Sequence, residues 1–161
     1  MKYRILSLEE LEELEKEFVT FLSAQSIPSD LWQEIREKQP DRASLLIEQF
    51  SDIVFEKVLT NIEYLEQKSK KEIRLFHCLD DTIIMLGLVI EGETQLDFTQ
   101  DISPEHMFQQ MKESGASLKM YRGKKTYKDQ REVELFKLME EGALISKDGA
   151  LYKTLEEVHS F

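Results

Sequence analysis

The period of the hydrophobic residues changes between Gln67 and Glu72. Before that point apolar residues recur at the spacing that lines one stripe of an α-helix. From Glu72 to Ile90 they alternate, or run together in short segments rich in Ile and Val, which is how strands read, and mixed elements follow. Helices followed by strands point to an α+β architecture with an antiparallel or mixed sheet, not to a doubly wound fold.

In the helical part, Leu8, Leu11, Leu14, Phe18, Phe21 and Leu22 make one stripe. Ser7 opens this first helix, and Glu10 completes a capping box. Pro28 interrupts the pattern, and Ser29 or Asp30 caps a short helix carrying Leu31, Trp32 and Ile35. Pro40 and Asp41 then begin a long helix, expected to reach about Gln67. Its stripe is Leu46, Phe50, Ile53, Val54, Val58, Ile62 and Leu65, and its length is roughly 40 Å at 1.5 Å per residue.

In the second part, Glu72–Leu79 and Thr82–Ile90 read as strands joined at Asp80-Asp81, the second a central strand. A further short strand is expected near Gln95–Phe98. Ser103-Pro104 starts a helix with Met107, Phe108 and Met111 inward, and Gly115 ends it. Asp129 with Glu132 caps another helix, with Val133, Phe136 and Met139 inward and Gly142 closing it. Asp148-Gly149 is the strongest hairpin signal, between Leu144-Ile145 and Ala150–Tyr152. The expected fold is one α+β domain over 1–161, with a helical part (1–67) and a sheet-containing part (72–161). Its N-terminal helical layer has one long helix packed on a small sheet, and a C-terminal helix and β-hairpin follow.

Charge is distributed unevenly on this frame. The chain has a formal net charge of −11, yet from Leu118 to Arg131 it carries six bases and a single acid, Asp129. Lys119, Arg122, Lys124, Lys125, Lys128 and Arg131 are therefore candidate anion-binding residues, with Tyr121 and Tyr127 placed to stack on rings. The alternatives are pairing with the chain's own surplus of carboxylates, which is common and individually weak, and an acidic protein partner. The acidity elsewhere disfavours non-specific contact with nucleic acid or an anionic membrane. The longest apolar run, Ile83–Ile90, is far too short to span one. One cysteine, Cys78, rules out an intrachain disulfide, and Glu9 and Glu10 stand where a signal peptide needs its apolar core. These features indicate a soluble cytoplasmic protein.

The opening Met1-Lys2-Tyr3-Arg4, the run Leu8–Phe18 and the stretch from Phe50-Ser51-Asp52-Ile53-Val54 through Ile62-Glu63-Tyr64-Leu65-Glu66 resemble a family of small bacterial proteins catalogued as a domain of unknown function. The resemblance runs over most of the chain and is clearest in the first part. It implies one intracellular domain and no catalytic, cofactor or metal residues.

Several tempting motifs fail on their own chemistry. Gly123-Lys124-Lys125-Thr126 lacks the earlier glycine of a phosphate loop, since Leu118 stands there, and Lys125 follows where Ser or Thr is needed. A winged helix ending in the Asp148-Gly149 turn would need a basic recognition helix, whereas this one carries Glu132, Glu134, Glu140 and Glu141. His77 and Cys78 fall on opposite faces of a strand and so form no dyad or shared metal site. Glu91, Glu93, Asp97 and Asp101 lack the ligand order of a calcium loop. His106 and His159 have no partner. The methionines, Met120 among them, read as core filler, and Trp32 as a packing residue. The expected function is a non-enzymatic interaction or adaptor module with a protein partner. Nucleic-acid or phosphorylated-ligand binding through 118–131 is the alternative, and an enzyme comes third. The long helix offers a route to a homo-oligomer.

Overall fold

A computed structural model describes residues 2–92 and 95–158, so Glu93 and His159 lie outside the described residues. The chain forms two compact units, Met1–Thr60 and Asn61–Phe161. The architecture is α+β, with the strands in one antiparallel sheet.

The first unit is helical: α1 (Leu8–Glu13), α2 (Glu15–Ala24), α3 (Ser29–Lys38) and α4 (Pro40–Thr60). The capping box forms as expected. Glu10 N donates to Ser7 Oγ at 3.2 Å, and Ser7 N donates to Glu10 Oε1 at 2.9 Å. The single first helix is in fact two. Leu14 N is shared between Glu10 O and Leu11 O, which tightens the last turn of α1 and breaks the helix there. Leu8, the first residue of α1, stands off the stripe and is 80% exposed. Leu22, Ile27, Ile35, Ala43 and Leu46 form the core of this unit, with Phe18 and Trp32 meeting edge to face against it. In α4 the buried side is Ala43, Leu46, Phe50, Ser51 and Leu59, while Ile53 and Val58 are exposed. Ser51 Oγ accepts from Leu6 N at 3.0 Å and ties the N-terminal segment to α4.

The long helix stops at Thr60, short of Gln67. Residues beyond it instead make β1 (Tyr64–Lys68), which pairs on both sides. Leu, Glu, Gln and Lys all favour helix locally, but two ladders of backbone hydrogen bonds outweigh that weak preference.

The second unit holds the sheet, in the order β4-β3-β2-β1-β5. β2 (Glu72–Cys78) and β3 (Thr82–Glu91) form the expected hairpin, and β3 is an interior strand. β4 (Ser117–Thr126) and β5 (Leu144–Ser146) are the edges. One face carries Ile73, Leu75, Leu86, Leu88 and Ile90. These pack with Met107 and Met111 of α5 (Pro104–Ser114) and with Leu151, Tyr152 and Leu155 of α7 (Ala150–Val158). The helix α6 is Arg131–Glu140; its fully buried residue is Leu135, with Val133, Phe136 and Met139 partly covered.

Three expectations in this unit are corrected. Asp129 does not cap α6: Gln130 is the N-cap, with no side-chain capping hydrogen bond, and Asp129 Oδ1 accepts instead from Gln130 N at 2.9 Å. Residues 95–98 form no strand; they are a loop that buries Phe98 completely. Asp148-Gly149 does not turn a hairpin but starts α7, where Asp148 Oδ1 accepts from Ala150 N at 3.1 Å. Positive φ at Gly149 suits either outcome. Burial of Leu151, Tyr152 and Leu155 at helical spacing decides for the helix.

Candidate functional site

The basic stretch is the sheet's long edge. β4 pairs with β3 from Glu91↔Ser117 to Thr82↔Thr126, and no other described strand pairs with it. Its ten residues include four bases, Lys119, Arg122, Lys124 and Lys125, and no acid. The alternation of a strand divides them between the faces. Lys119, Tyr121, Gly123 and Lys125 share one face with Gly87 and Met85, while Arg122 and Lys124 share the other with Leu86 and Ile84. Lys128 lies exposed in the loop after the strand.

Arg131, the last base of the stretch, turns inward. Its guanidinium donates to Leu79 O at 3.1 Å, to Cys78 O at 3.2 Å and to Ile62 O. Its side chain is only 13% exposed. It thus joins the start of α6 to the ends of β2 and of the segment before β1. Tyr127 does related work, its hydroxyl donating to Leu79 O at 3.1 Å, and burial pushes that phenol up to about 12.

Tyr121 lies across Gly87, its cross-strand partner, and its hydroxyl donates to the Glu72 carboxylate. Arg74 Nε also reaches Glu72, at 3.1 Å. The hydrogen bond from Tyr121, with Arg74 beside it, holds the Glu72 carboxyl below its ordinary value. The two tyrosines expected to stack on a ligand are thus both engaged within the unit.

Beside Tyr121 the same face opens into a groove of about 500 Å³, between the sheet and α6. Phe76, Met85 and Gly123 lie in one register row across three strands and form its floor, with Ile83 next to them. Leu138 of α6 faces them. The lining also includes the side chains of three bases (Arg74, Lys125, Lys137) and two acids (Glu134, Glu141), against a chain that is −11 as a whole, while Lys124 turns its side chain to the other face. Lys125 Nζ stands 3.5 Å from Glu134 Oε1. Of the residues lining the groove, sequence reasoning reached Lys124, Lys125 and Tyr127. The signal available was alternation in three separate strands, and it becomes a site only once the register is known.

The other candidates stay apart. Cys78 is buried and its thiol is pushed up to about 12, chiefly by burial. His77 stands on the opposite face, stacked on Tyr64 at 4.6 Å between ring centroids and edge-on to Tyr152. Asp97 is held by Thr99, Glu91 and Asp101 are exposed, and His106 is exposed on α5. Among the described residues no group of His, Cys, Asp and Glu gathers as a metal site. No described helix is long and apolar enough to cross a membrane.

With this geometry in hand, comparison assigns the chain to a family without assigning it a role. The chain belongs to a family of unknown function (DUF6495), which matches residues 1–160. No curated protein and no solved structure matches it.

Proposed function

We propose that the sheet-containing unit is a non-enzymatic interaction module whose β4 edge receives an acidic, extended segment of a partner protein. The observation that carries this reading is the ten-residue edge with four bases and no acid. An edge strand offers a row of backbone donors and acceptors that an added strand can pair with. Its bases repel a second copy of the same edge and attract an acidic one, so charge selects against self-association and in favour of a heterologous strand.

A nucleic-acid or phosphorylated-ligand reading draws less support. The bases of 118–131 divide between two faces, and Arg131 is committed to three carbonyls. The lone, buried Cys78 accords with a cytoplasmic module, which fractionation of a tagged chain tests.

The direct test is fluorescence anisotropy with a labelled ten-residue peptide alternating Glu with Val and Thr. It binds saturably, and more weakly as salt rises. Methylation of alternate peptide nitrogens, which removes donors to the edge, weakens it at least tenfold. Charge reversal with Lys119→Glu and Lys124→Glu does the same. A Lys-for-Glu version of the peptide that binds equally well, or no binding by either, overturns the reading.

A further inference from the structure

Gly123 is the residue in the groove that calls for an explanation. It sits inside a ten-residue strand, where glycine weakens pairing and contributes no packing. Its backbone does not require glycine, because its φ is not among the positive values found at Gly92, Gly115, Gly142 and Gly149. Space does not require it either. A Cβ built there meets only Met85 Cε, at 3.7 Å, which is ordinary van der Waals contact. Gly87 on the same face differs, because Tyr121 occupies its side-chain space. What the missing side chain at Gly123 does is keep the groove open at the end of the Phe76–Met85 row.

We propose that this groove binds a small amphipathic anion: an aliphatic body lying over Met85 and Gly123, with a carboxylate held by Lys137 and Lys125. Its volume of about 500 Å³ falls in the roughly 300–1,000 Å³ range of small-ligand sites, and its floor is apolar as such sites are. The sign of the ligand follows from the rim, where the side chains of three bases, Arg74, Lys125 and Lys137, meet two acids, Glu134 and Glu141, although the chain is strongly acidic. The two lysines are available to an incoming anion. No described acid pairs with Lys137, and Lys125 is 61% exposed and only loosely paired with Glu134. Attraction by such exposed cations is modest by itself, so the apolar body supplies most of the affinity and the charge supplies the discrimination.

The experiment is an NMR titration of the full chain with decanoate, 1-decanol and acetate, read at the methionine methyls. Decanoate binds saturably, one per chain, with shifts centred on Met85. Acetate does not bind, and 1-decanol binds at least tenfold more weakly. Gly123→Val fills the groove with a residue that strands favour. It lowers decanoate affinity at least tenfold while the melting temperature holds or rises. Lys137→Ala weakens decanoate but leaves 1-decanol unchanged. The proposal is overturned if decanoate fails to saturate, if 1-decanol binds as tightly, if the shifts centre away from Met85, or if Gly123→Val binds like the parent. Should Gly123→Val not fold, the location of the shifts and the Lys137→Ala contrast decide the matter alone.

Discussion

Tyr121 occupies the side-chain space of Gly87, its register partner across β3 and β4, with its ring lying where a Cβ at residue 87 would be. An aromatic ring over a glycine repairs the packing that the glycine forfeits, and the hydroxyl anchors the ring on Glu72. Gly87→Ala therefore overpacks an interior strand and is expected to destabilise by about 1–3 kcal/mol. Adding Tyr121→Ala removes the clash, so the double variant loses less than the sum of the two single losses. Urea unfolding of all four chains measures this. Additive losses would show that the two residues are not coupled.

Arg131 is the base of the basic stretch that turns inward. It serves three carbonyls from a nearly buried position, so Arg131→Ala removes its bonds to the part-buried carbonyls of Ile62 and Cys78, while Leu79 O keeps the Tyr127 hydroxyl. A loss of about 2–4 kcal/mol is expected from hydrogen bonds to a charged donor. Arg131→Lys recovers little, because a single ammonium cannot reproduce the fork. Lys128→Ala, in the exposed loop, stays within about 0.5 kcal/mol of the parent. Equal effects of the Arg131 and Lys128 substitutions would remove the distinction.

Glu10 joins the capping box to Arg4, whose guanidinium lies 2.8 Å from its carboxylate. The bond from Arg4, then that from the Ser7 backbone, lowers the Glu10 carboxyl from 4.5 to about 2. A group with a depressed folded value contributes stability above its unfolded value and loses it as pH falls through the folded one. The first unit should therefore lose stability as pH drops from about 4.5 towards about 2. In Glu10→Gln part of that slope is absent. Circular dichroism of both chains under mild urea, stepped through that range, reads the difference, and parallel slopes would contradict it.

Cys78 is expected to be inert. With its thiol raised to about 12 by burial, its thiolate at pH 8 is roughly a thousandfold scarcer than that of an ordinary cysteine. Labelling by a maleimide should therefore be slow in the folded chain and become fast in denaturant. Rapid native labelling would show that the end of β2 opens readily.

These residues mark what was legible in the chain. The capping box at Ser7, the β2–β3 hairpin, the Ser103-Pro104 start and Gly115 were readable because each depends on a few adjacent residues. Leu65 reads as helical because its neighbours favour helix, and only its two strand partners override them. The charge reversal at 118–131 was plain, but its division between faces and the inward turn of Arg131 depend on residues some 50 to 70 positions away. The groove was illegible for the same reason, since its floor draws one residue from each of three strands.

Gly149 and Gly115 have nearly the same φ, 64° and 63°, but very different surroundings. A Cβ at Gly115 meets no described atom within 4 Å, whereas one at Gly149 falls 2.6 Å from the Tyr64 ring. Alanine at Gly115 should thus incur only the left-handed backbone penalty, about 1 kcal/mol. Alanine at Gly149 incurs that and the displacement of a ring packed between His77 and Tyr152, a total of about 2–4 kcal/mol. Tyr64→Leu in the Gly149→Ala background should recover part of the second loss, because the smaller side chain can yield. Hydrogen exchange at α7 amides should report the change locally, since Asp148 and Gly149 start that helix. Equal penalties at Gly115 and Gly149 would mean that the chain enters α7 by a route other than the Tyr64 contact.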